Sequence, residues 1–110
     1  MKADDFPHQP YVWAASQCGH ITIGVAAAVL AQAVGLWWPL PLAIAAVYWV
    51  VAEYTLQRSA LPLDGAVDTA FVAGGASLPA ALAWHPWAAV GLCGLCGAGL
   101  AVGALRRAKR

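Results

Sequence analysis

Charged side chains mark this chain at its two ends and its middle, and two long apolar reaches separate them. No Asp, Glu, Lys or Arg lies between Asp5 and Glu53, and none between Asp68 and Arg106. A helix that crosses a bilayer core needs about 20 predominantly apolar residues, so each reach has room for two crossings. The breakers divide them. A first apolar segment, about 13–37, runs into Trp37-Trp38-Pro39-Leu40-Pro41, where two prolines block helix continuation and can open the next helix. The second, about 40–57, leaves through a short polar loop from Arg58 to Asp64. The third, about 65–84, contains Pro79 as an expected kink, and His85-Pro86 turns the chain into the fourth, about 86–105. The pattern predicts an all-α integral membrane bundle of four transmembrane helices. Residues 1–110 form one domain, with a polar lead-in over 1–12 and a basic tail over 106–110.

Composition supports the same solvent. The chain is 62% hydrophobic and 10% charged, where soluble domains carry roughly 25% charged residues. The opening "MKADDFPHQP" is acidic and broken by proline where a secretory signal needs a basic start. Cys18 follows Gln17 rather than an apolar run, unlike a lipoprotein cysteine. Four crossings put both termini and the 58–64 loop on one side. Lys2, Arg58, Arg106, Arg107, Lys109 and Arg110 then share that side, while the opposite loops hold no Lys or Arg. The positive-inside rule makes that side cytoplasmic. The expected location is a bacterial inner membrane, multi-pass, with both termini in the cytoplasm. Trp37, Trp38, Trp84 and Trp87 then anchor the outer interface, with Tyr11 and Trp13 near the inner one.

Helix contacts within a bilayer favour small residues, since apolar bulk does not distinguish protein from lipid. The third segment carries Gly65, Thr69, Ala73 and Ser77 at every fourth position. The fourth carries Cys93 and Gly97, with Gly99 and Gly103 as a GxxxG pair. These stripes predict close packing within the bundle or between copies, so the expected partners are the lipid bilayer and other membrane helices, a second copy included. Nothing points to nucleic acid.

A polar set interrupts the apolar pattern. Ser16, Gln17 and His20 share one face of the first helix, which Gly24, Ala28 and Ala31 extend. Glu53 and Gln57 stand one turn apart, as do Asp64 and Asp68. In the four-crossing topology all fall in the cytoplasmic third of the membrane, where ionisable groups pair or face a bundle interior or water. His20, Glu53 and Asp68 are therefore expected to meet, with Arg58 at the rim. Two readings stay open. The groups pair for structure, or they form a site for a cation, a proton or a phosphate-bearing lipid. Catalysis has little support: no serine elbow, phosphate loop or tight metal-ligand spacing occurs, so neither enzyme activity nor a cofactor or metal is expected. Cys93-Gly-Leu-Cys96 has redox spacing, but lies mid-helix without the charge that activates thiols, and reads as packing.

Two family resemblances follow from these residues. "HITIG", "YWVVAEYTLQ" and "LDGAVDTAFVAGGA" together resemble small polytopic membrane proteins of tailed phages and prophages described as holins. That resemblance implies self-association in the inner membrane and a timed lesion that admits an endolysin. Four crossings depart from the one to three of common holins. The order His20, Glu53, Gln57, Arg58, Asp64, Asp68, then Gly74-Gly75, also resembles VanZ-like membrane proteins. That likeness implies an envelope role with an anionic or lipid-linked ligand at the polar cluster. The polar loop is short for that family, and Asp68-Thr69 stands where an Asn often occurs. A third expectation is an accessory subunit of a larger membrane complex.

Overall fold

The computed structural model describes residues 6, 8–36, 40–51 and 62–109. Among them the chain is all-helical, with four helices: α1 (Pro10–Ala33), α2 (Leu40–Tyr48), α3 (Pro62–Trp84) and α4 (Pro86–Ala108). Proline stands at or next to the first helical position of all four, where a missing N–H costs nothing and the fixed φ already suits the helix. For that reason α1 and α3 begin three residues earlier than the apolar pattern predicts.

Their ends have equally local causes. Gly35 adopts a left-handed conformation, φ +83°. Around it the Gly35 N–H donates to the Gln32 carbonyl (3.0 Å) and the Leu36 N–H to the Ala31 carbonyl (2.9 Å). This Schellman arrangement satisfies the last carbonyls and stops α1 at Ala33, ahead of the prolines expected to stop it near Trp37. Between α3 and α4 stands His85 alone. Its backbone is extended and its Nδ1 accepts the Trp87 N–H at 3.2 Å, capping α4. At the far end Arg106 and Arg107 occupy the last turn of α4, favourably placed for the helix dipole. Pro79 lies inside α3, which continues through it although Pro79 offers no N–H to Gly75.

Three helices, α1, α4 and residues Gly65–Trp84 of α3, are long and apolar enough to cross a membrane. The described part of α2 is shorter. Nine α-helical residues, about 14 Å, pass into one π-helical turn at Trp49–Val51. The expected extension of this helix to Gln57 lies outside the described residues.

Contacts fix the directions. Gln17 meets Asp68 near the starts of α1 and α3, and further along both helices Gly24 meets Val72 and Ala76, so α1 and α3 run parallel. Trp13 of α1 meets Gly103 of α4, and Phe71 of α3 meets Gly99, so α4 is antiparallel to both. Tyr48, at the end of α2, reaches His20. The α1–α3 pair forms the centre, with α2 and α4 each packed on both members and not on one another. The result is a flat body, 43 × 32 × 16 Å.

Candidate functional site at the α1–α3 seam

The seam is built from glycine. A Cβ placed on Gly24 would collide with the Val72 carbonyl oxygen, and one on Gly75 with the Ile21 carbonyl oxygen. Ala28, Val72 and Ala76 are sealed beside them. Such close approach lets two short polar side chains meet across it. The buried side of α1 is Trp13, Gln17, Gly24 and Ala28, along the polar-and-small face legible in the sequence. On α3 it is Gly65, Asp68, Phe71, Val72, Gly75 and Ala76. The small residues at every fourth position lie beside this face: Thr69, Ala73 and Ser77 are half-buried. A strict four-residue step drifts around a 3.6-residue helix, whereas the true seam alternates steps of three and four.

Gln17 and Asp68 are only 3% and 7% exposed. The Gln17 Nε2–H donates to Asp68 Oδ1 at 2.7 Å. His20, one turn along α1, places Nδ1 3.2 Å from Gln17 Oε1 and 3.6 Å from Asp68 Oδ1. Its ring stands edge-on to Tyr48, centroids 5.5 Å apart. Tyr48 in turn lines an apolar cleft of about 420 Å³ between α1, α2 and α3, with Ile23, Ala27, Ile44 and Val47. A polar trio thus sits at the edge of an apolar cleft, inside helices that otherwise bury no charge among the described residues.

Of the expected polar cluster, the structure brings His20 and Asp68 together. Glu53, Gln57 and Arg58 lie outside the described residues, as do Trp37 and Trp38, and Asp64 is described only by its place in the first turn of α3. The bridging residue, Gln17, was legible only as a neighbour on the polar face. Other hydroxyls close locally: Thr22 Oγ1 donates to the Cys18 carbonyl and Ser77 Oγ to the Ala73 carbonyl. Thr69 Oγ1 is buried without a hydrogen-bond partner. Among the described residues no three His, Cys, Asp or Glu side chains gather closely enough to hold a metal ion.

A second junction joins α4. Trp13, expected near the inner interface, is 4% exposed. Gly103 leaves the notch its ring fills, Phe71 meets it edge-on at 6.2 Å, and the Arg107 guanidinium lies 4.2 Å above the ring centroid. Gly99 likewise receives Phe71. The GxxxG pair of α4 therefore cradles two aromatic rings. Cys96 approaches Gly74, while Gly97 has open space and is exposed together with Cys93. Trp84 and Trp87 are 83% and 74% exposed on either side of His85.

No protein-family model matches this chain, and neither a curated protein nor a solved structure matches it significantly.

Proposed function

We propose that this is a multi-pass protein of the bacterial inner membrane, holin-like, that self-associates through α4 and permeabilises the membrane for an endolysin. One observation carries the self-association. α4 is apolar along its length, yet none of its residues is buried within the chain. Its outward side exposes Gly91, Gly94 and Gly97 with nothing within reach of an added methyl group. Small residues on a lipid-facing helix permit the close backbone approach that drives helix association in bilayers. The lesion itself rests on the holin resemblance. Inducible expression in bacteria, following membrane potential and culture density with and without a soluble endolysin, tests the reading. Abrupt depolarisation, with lysis only alongside the endolysin, is expected, and Gly94→Leu should delay or abolish it. Ordinary growth at full membrane expression would remove the holin role.

A second reading is favoured by the Gln17–His20–Asp68 trio, which a helix needing only apolar packing has no use for. In it the trio is a polar site within the membrane, as the VanZ resemblance implies. Loss of function in His20→Ala with assembly unchanged would favour it over the first.

A further inference from the structure

We infer that His20 Nε2 is a proton-accepting atom of an intramembrane site, its ring held in the Nδ1–H form by Gln17 and Asp68. The inference rests on the second reading above and gives that polar site its chemistry.

Asp68 Oδ1 lies 2.7 Å from a terminal atom of the Gln17 amide. That atom is the NH2 group, which donates to the carboxyl oxygen, so the amide oxygen is turned the other way. That oxygen faces His20 Nδ1 at 3.2 Å. Oxygen accepts as well, so Nδ1 carries the hydrogen. The second, longer approach of Nδ1 to Asp68 Oδ1, 3.6 Å, asks for the same hydrogen. Both partners on this side of the ring are acceptors, and the neutral imidazole is left with its lone pair on Nε2. A hydrogen bond at one ring nitrogen commonly sets what the other can do.

The surroundings suit a proton rather than a larger ligand. His20 packs against Asp68 from α3 and the Tyr48 ring from α2. From α4 the Arg107 guanidinium is engaged over Trp13, two turns of α1 (about 10 Å) away. A proton arriving at Nε2 makes an imidazolium whose Nδ1–H already points at Gln17 and the Asp68 carboxylate. The charge is compensated without moving a side chain. In a bilayer an isolated cation is expensive, and the neighbouring Asp68 carboxyl and Gln17 amide oxygen supply the compensation. The balance is simple: one proton enters, the N–H bond forms at Nε2, and the ring gains one positive charge.

The test reads the tautomer directly. The protein is labelled with 15N-histidine and reconstituted in lipid, and the His20 ring nitrogens are assigned by difference from His20→Gln. A neutral ring with its hydrogen on Nδ1 and a bare Nε2 is expected. In Asp68→Asn the amide of Gln17 is free to turn, and the Nδ1–H fraction should fall at least severalfold. A neutral ring protonated at Nε2 instead would overturn the inference. His20→Ala gives the separate outcome for the second reading. Full function in that variant removes the functional role of the site, whereas loss of function with an Nε2–H ring in the parent keeps the site and discards this chemistry.

Discussion

Gly24 faces the carbonyl oxygen of Val72 with no room between them for a methyl group. The relation is returned from the other side, where Gly75 faces the Ile21 carbonyl oxygen. Both obstacles are backbone atoms, which cannot rotate away as a side-chain tip can. Gly24→Ala and Gly75→Ala should each destabilise the fold by about 1–3 kcal/mol, the usual cost of overpacking a tight core. Gly97→Ala, with open space around it, should change folding little. Unfolding titrations in detergent micelles would separate the three, and equal effects would count against the seam.

Removing the bridge should hurt more than its single hydrogen bond implies. Gln17→Leu leaves the buried Asp68 carboxylate without the donor at 2.7 Å, at a cost of about 1–3 kcal/mol. Asp68→Leu in the same background should restore part of the loss, because the carboxyl group that lost its closest donor is gone. A double-mutant cycle in the membrane-reconstituted protein gives the coupling, expected at about 0.6–1.7 kcal/mol. Additive effects would mean that the two side chains do not interact.

How much of this seam was legible follows from what each residue does. Gln17 and His20, one turn apart in an apolar helix, declared a polar face, and Gly24 and Ala28 continued it. Asp68 declared itself as an acid inside an apolar segment. The bond between Gln17 and Asp68 was hidden, because it joins positions 51 residues apart and depends on the glycine contact that brings the helices together. The burial of Trp13 was hidden for a related reason. An aromatic near the start of a membrane helix suits an interface belt, and only the notch at Gly103 on another helix draws it inward. The end of α1 was missed although its signal was present, since a glycine four residues before the first proline is a natural left-handed stop. The π turn at Trp49–Val51 has no marker in the local sequence.

At the Trp13 junction, Gly103→Val should displace the indole and expose it. Arg107→Gln should weaken the junction by about 0.5–1 kcal/mol, the worth of an exposed cation–π contact. Quenching of Trp13 by an aqueous quencher, in a protein with the other five tryptophans replaced by phenylalanine, reports on this directly. Greater quenching in Gly103→Val than in the parent is the expected result. Equal quenching would place Trp13 at the surface in both.

The link at His85 gives a further test. His85→Asn keeps an N-cap acceptor for the Trp87 N–H, whereas His85→Ala removes it at about 0.5–2 kcal/mol. Slow amide exchange at Trp87 and Ala88 should be retained in the first variant and lost in the second. If both exchanged alike, the cap would contribute nothing.

The thinness of the body has a consequence for any passage through the membrane. At 16 Å it is thinner than two helices of about 10–12 Å laid side by side, and among the described residues its central pair is closed by glycine contacts that leave no bore. A single chain is a stave, not a barrel. Water or solute crossing by way of this protein would run along the joints between staves, so the width of the opening would follow from how many assemble.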